Sequence, residues 1–197
     1  MEAVIQNRRS IRKYRNLPVS RQLVEEVIRA GILAPSSKNR QPWKFIVVTG
    51  REKAAMLDVM RQGLLRERDR QALLPNSRQH LGGAEGTLRI MEQAPVTIFV
   101  SNTLGKSLFQ PPSFEERVYE ICNVQSIGAA MENMTLTATQ LGLGSLWICD
   151  IFFAYQELCQ WLRTEGTPLA ALALGYAEES PASRPRKTLA EVVEWRE

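Results

Sequence analysis

The stretch Leu141-Gly142-Leu143-Gly144-Ser145 decides how this chain is read. Ahead of it, Glu120–Leu141 carries Ile121, Val124, Ile127, Met131, Met134 and Ala138 at helical spacing, the strongest amphipathic stripe in the sequence. Behind it, Ser145–Ile151 reads as a strand. The glycines therefore stand after a helix and before a strand. A dinucleotide-binding Rossmann unit needs the reverse order, and no P-loop pattern occurs. A phosphate bound by this chain is held by side chains rather than by a glycine-rich cradle.

Outward from that stretch, helices and strands alternate. Val19–Leu33 predicts a helix capped by Ser20, with Leu23, Val24, Val27, Ile28 and Gly31 on one face, ended by Pro35. Phe45–Thr49 predicts a buried strand; Pro95–Val100 and Leu169–Gly175 predict two more. Arg51–Met60 and Ala154–Leu162 have helical patterns, and Ser101–Ser113, with Gly105, Pro111 and Pro112, reads as a loop. Residues 61–93 hold ten charged side chains and the pair Gly82-Gly83, which marks a variable excursion, either a lid or a solvated helix pair. A Pro-rich stretch, Ser180–Lys187, leads to an amphipathic helix over Leu189–Trp195. No internal repeat appears, and the 197 residues fit one domain.

Composition excludes several classes. The net charge of +4 is too small for a dense nucleic-acid-binding face but suits an anionic ligand. Cys122, Cys149 and Cys159 have no Cys-x-x-Cys spacing, which argues against a disulfide framework or a zinc site. Their apolar neighbours predict buried free thiols, as in a reducing cytoplasm. The chain starts without an apolar signal core and has no run of membrane-spanning length, so a cytoplasmic protein without membrane contact is expected. His80 is the sole histidine, in a Gly-rich polar stretch, and reads as a surface residue. Triads and multi-histidine metal sites are thereby disfavoured, and any redox chemistry comes from a bound group.

Two basic clusters stand near the ends: Arg8-Arg9-Ser10-Ile11-Arg12 and Arg184-Pro185-Arg186-Lys187. Brought together, they make one anion site, because the guanidinium fork gives paired, charge-assisted hydrogen bonds to phosphate. Between them lies a small polar loop, Pro35-Ser36-Ser37-Lys38-Asn39-Arg40-Gln41-Pro42-Trp43.

Taken in order, Arg8–Tyr14, Ala34–Trp43, Leu141–Ser145 and Gly175-Tyr176 followed by Arg184–Lys187 resemble the nitroreductase family of flavoproteins. The resemblance implies an α+β fold with a mixed central sheet flanked by helices. It implies a homodimer in which residues 177–197 extend over the partner, with FMN at the interface touched by both chains. It places Arg8, Arg9, Ser10 and Arg12 at the ribityl phosphate and the polar edge of the flavin, joined by Arg184 and Arg186. Pro35, Ser36, Ser37 and Asn39 match the loop that packs on the flavin from the partner subunit. Leu143, Gly144 and Ser145 match the backbone beside the ring, where a glycine permits close approach.

The implied cycle is ping-pong. NAD(P)H gives a hydride to the flavin, and a flat electron-poor acceptor, a nitroaromatic or a quinone, then takes the electrons from the same face. No catalytic side chain is named. Phe109 and Phe114 are the candidates for stacking on the substrate. Other reactions of the family stay open on these motifs, among them specialised dehydrogenation, dehalogenation and flavin breakdown; so does a flavin-binding sensor without turnover.

Overall fold

The computed structural model describes residues 2–69, 72–164 and 166–197. Arg70, one of the charges counted in the 61–93 excursion, lies outside them.

Among the described residues, four strands form one sheet: β1 (Trp43–Val48), β2 (Val96–Asn102), β3 (Gly144–Ile148) and β4 (Thr167–Gly175), in the order β1-β2-β4-β3. Every pairing among them is antiparallel. Among the described residues, parallel pairing, implied by the expectation of a mixed sheet, is confined to an isolated bridge between Ser10 and Ser145. The two central strands are buried from both faces, and period-two alternation divides their side chains between two cores. Leu172 and Leu174 of β4 and Ile98 of β2 face one core, with Val27, Met131 and Met134. Ala171, Ala173 and Phe99 face the other, with Met56, Met60, Met91 and Leu158.

Helices cover both faces. α2 (Arg21–Ile32) and α5 (Phe114–Gln140) pack on the first; α3 (Glu52–Arg68), α4 (Leu81–Gln93) and α6 (Tyr155–Leu162) pack on the second. α2 starts where expected, with Ser20 Oγ accepting the Leu23 amide. α5 begins six residues earlier than the apolar stripe predicts, because Ser113 and Glu116 form a capping box (Glu120 against Phe114). The Ser113 amide donates to Glu116 Oε2 at 2.8 Å, and the Glu116 amide donates to Ser113 Oγ at 3.3 Å.

Four further expectations need correction. β1 is not a buried strand but a sheet edge, with Val47 42% exposed. The third strand stops at Ile148, and Asp150–Ala154 turns instead as a 3-10 helix against α3. The cysteines are free, but Cys149 is exposed and the other two are half-buried. The terminal helix spans only Leu189–Val192, leaving Trp195 77% exposed. A short helix, α1 (Glu2–Asn7), precedes the first basic cluster.

The 61–93 excursion continues α3, passes through a 3-10 turn at Pro75–His80 with His80 exposed, and returns as α4. Glu67, 1% exposed, pins the connection: its carboxylate accepts the Leu73 and Leu74 amides at 3.0 Å each and pairs with Arg66. Arg66 is held in turn by Glu157 of α6 at 2.7 Å. A buried carboxylate is tolerated here because backbone donors and a guanidinium satisfy it. Among the described residues, no helix is long and apolar enough to cross a membrane.

Candidate functional site

Backbone pairing carries the N-terminal basic segment to the sheet. The Ile11 amide donates to Ser145 O at 2.9 Å, and the Arg15 amide to Tyr176 O at 2.9 Å. The Glu178 amide donates to Lys13 O at 2.9 Å. Tyr14 fastens the segment from below. It is 4% exposed, and its hydroxyl donates to Ile11 O at 3.0 Å and lies 3.3 Å from Ala173 O. Burial pushes its phenol well above the ordinary tyrosine range, so Tyr14 is a neutral anchor.

The chain after β4 runs beside this segment. Glu179 accepts the amides of Arg12 and Lys13. The following residues then close a cleft of about 290 Å³, lined by Arg8, Arg9, Ser10 and Arg12 on one side and Ser183, Arg184 and Arg186 on the other. Both expected basic clusters thus meet within one subunit.

Their charge is mostly unneutralised by protein. Arg8 lies 3.6 Å from Glu132 of α5. Arg9 donates to the carbonyls of Gln6 (2.6 Å) and Arg8 (2.9 Å), Arg12 to that of Ser10 (3.1 Å), and Arg186 to those of Arg184 and Pro185. Arg9 Nε is buried with no partner. A buried guanidinium N–H left unpaired costs about 1–3 kcal/mol. The guanidinium groups line one space and carry one sign of charge, which fits a phosphoryl group.

The stretch that decides the fold lies against the N-terminal segment that lines the cleft, through the Ser10–Ser145 bridge. α5 ends in a Schellman motif: the Leu143 amide donates to Ala138 O at 2.8 Å and the Gly142 amide to Thr139 O at 3.1 Å, with Gly142 at φ +74°. Leu143, Gly144 and Ser145 are buried. A Cβ at position 144 would lie 2.8 Å from Ile11 Cγ1, so glycine there lets the N-terminal segment close on β3. Its small size is required by the chain's own Ile11.

The remaining expected site residues lie elsewhere. Pro35, Ser36, Ser37 and Asn39 are not among the residues lining the basic cleft; their loop packs on α5, where the Ser37 amide donates to Ser126 Oγ at 3.2 Å. Lys38, Asn39 and Gln41 all have φ near +50° (53°, 53° and 48°). Left-handed backbone costs non-glycine residues roughly 1–2 kcal/mol each. The fold offsets this in part through Ser36 Oγ, which accepts the Gln41 amide at 3.0 Å. Backbone strain of this kind clusters at functional sites in proteins generally. Trp43, just beyond, packs against the core. Phe109 lies against Tyr155 with ring centroids 5.6 Å apart, and Phe114 is 86% exposed at the start of α5; neither lines the cleft.

Sequence reasoning missed Ile5, Gln6 and Pro181–Ser183, which complete the cleft. The clustering of Pro181 and Pro185 around Arg184 signalled an extended backbone, but not its position. Residues 177–179 bind their own N-terminal segment.

The nitroreductase family model matches residues 5–176, so the chain belongs to the nitroreductase family and is an oxidoreductase by that membership. Among its relatives is a protein of Methanothermobacter thermautotrophicus, provisionally named NADH dehydrogenase/NAD(P)H nitroreductase. It is 29% identical over 186 residues, which make up 91% of this chain and 78% of the relative. A provisionally named nitroreductase of Desulfovibrio desulfuricans, solved in complex with FMN, is 27% identical with a TM-score of 0.72, covering 100% of this chain and 96% of that one. The FMN-dependent nitroreductase NfnB of Mycobacterium smegmatis, solved in complex with NADPH, shares the fold at a TM-score of 0.77 and 20% identity, covering 100% and 97%.

Proposed function

We propose that this protein is an FMN-dependent oxidoreductase passing electrons from NAD(P)H to a flat, electron-poor acceptor such as a nitroaromatic or a quinone. One observation carries the reading: the two basic segments converge on a single cleft in which Arg9 Nε is buried and unpartnered. Arg9, Arg12, Arg184 and Arg186 hold the FMN phosphate, with Arg8 and Ser10 at its margin. Leu143–Ser145 supply main-chain groups beside the ring. When bound, FMN supplies the carrier that accepts hydride from the nicotinamide and returns electrons to the acceptor. Donor and acceptor occupy one open face in turn, a ping-pong order. Water reaches that face, so no side-chain acid is assigned, and the basic surroundings favour added negative charge.

The working unit is a homodimer in the cytoplasm. Three features support a dimer. Among the described residues the outer edge of β1 is unpaired, Leu189, Val192 and Trp195 of the tail have exposures of 69%, 61% and 77%, and the strained Pro35–Asn39 loop stands apart from its own cleft. In the dimer that loop packs on the partner's FMN, and the tail covers apolar surface of the partner. Phe109 and Phe114 remain candidates for ring contacts at the rim.

The test is the visible spectrum of the purified protein, followed by anaerobic addition of NADPH and then NADH. A yellow protein bleached by either nucleotide is expected. A colourless protein that does not take up FMN would contradict the reading.

A further inference from the structure

A second cavity, about 460 Å³, lies between the strained loop and the first turns of α5. It is within the size range of small-molecule pockets. Arg40 forms one wall, its guanidinium 4.4 Å from the centroid of the Tyr119 ring, and this stack fixes its direction. Among the described residues, no carboxylate pairs with Arg40. The other cation of the cavity, Lys106, is neutralised by Glu116. Asn123 forms part of the lining; it is 2% exposed, and its Oδ1 is buried with no partner. Glu120 lies on the same wall, half-buried.

We propose that this cavity is the acceptor pocket and that it selects a flat acceptor bearing one carboxylate. The carboxylate pairs with Arg40, whose charge has no partner of its own. An N–H or O–H on the ring donates to Asn123 Oδ1, which relieves the cost of that buried acceptor. Glu120 repels a second negative charge, so a monoanion is preferred over a dianion. The loop that carries Arg40 is the one assigned above to the partner's FMN, which places the cavity beside the reacting face. The proposal rests on the flavin-dependent activity for what happens to the ligand, and on the pocket alone for what binds.

The experiment compares 4-amino-3-nitrobenzoate with 4-amino-3-nitrobenzamide on the FMN-loaded protein. Binding is measured by calorimetry and turnover by NADPH oxidation. Each NADPH, with one proton, converts a nitro group to a nitroso group and water. The carboxylate is expected to bind between about ten- and a hundredfold more tightly than the carboxamide, the value of one charge-assisted contact. Arg40→Gln is expected to bring that ratio to about one, and Arg40→Lys to keep its sign. Equal binding of the two compounds, or a ratio unchanged in Arg40→Gln, would overturn the proposal. Arg40-dependent binding without nucleotide oxidation leaves the pocket standing and removes the proposed activity. Equal binding with equal turnover of both compounds does the reverse.

Discussion

The basic cleft and the pocket beneath Arg40 gather polar groups in opposite ways. The cleft draws residues from the two ends of the chain and has one sign of charge: Arg8, Arg9 and Arg12 meet Arg184 and Arg186, and among the described residues only Glu132 opposes them at ion-pair distance. The pocket is built from the start of α5, the loop after β2 and the strained loop, and its lining charges balance, with Lys106 paired to Glu116 and both Arg40 and Glu120 in the wall. An excess of fixed positive charge suits a ligand that stays, such as a phosphorylated cofactor. Near balance, with no carboxylate paired to Arg40 among the described residues, suits a ligand that exchanges. Retention and selection are thus assigned to separate surfaces.

The sharpest way to break this contrast is at the cleft. Arg9→Ala removes a half-buried guanidinium and is expected to weaken FMN binding by about 1.5–3 kcal/mol, with little change in thermal stability of the flavin-free protein. Fluorescence titration with FMN measures it. Unchanged affinity would remove the phosphate assignment. Gly144→Ala comes next. The added Cβ meets Ile11, and overpacking of this kind costs about 1–3 kcal/mol, read as a fall in denaturant midpoint together with weaker FMN binding. If stability falls while FMN affinity holds, the N-terminal segment is not what shapes the cleft. Tyr14→Phe keeps the ring and deletes the hydroxyl between Ile11 O and Ala173 O, for an expected loss of about 0.5–1.5 kcal/mol by chemical denaturation.

The smallest effect belongs to the pocket side. Lys106, and after it Ser113, holds the Glu116 carboxyl down at about 2. A carboxyl depressed by folding adds stability above its ordinary value of 4.5, and the gain disappears as pH falls from there toward 2. Glu116→Gln is therefore expected to melt slightly below the native protein at pH 7 and to converge with it near pH 2. A constant gap across that range would mean that the cap acts without its charge. Glu116 is exposed to solvent, so the shift is modest and shrinks in high salt.

Legibility in the sequence followed the range of the interactions. The amphipathic stripe of α5, the Ser20 cap and the glycine that ends α5 depend on residues within a few positions of one another, and each was readable. The clusters at Arg8–Arg12 and Arg184–Arg186 were readable as charge, and their family pattern supplied a reason for them to meet. The means of meeting was not readable: the backbone bonds from Ile11 to Ser145 and from Glu178 to Lys13 join segments more than a hundred residues apart. Burial of β1 was misjudged because an edge strand and a central strand share the same β-branched composition. The Arg40 pocket left no signal in the sequence. Its cation and its orphaned amide are ordinary residues until the loop after Ser37–Asn39 is laid on α5.

The measurement closest to the central claim is the affinity of the flavin-free protein for FMN against that for riboflavin, which differ only in the phosphate. Binding of FMN at least about tenfold tighter is predicted, with the gap narrowing in Arg9→Ala and with rising salt. Equal affinity for the two, or a gap indifferent to Arg9, would contradict the assignment of the basic cleft.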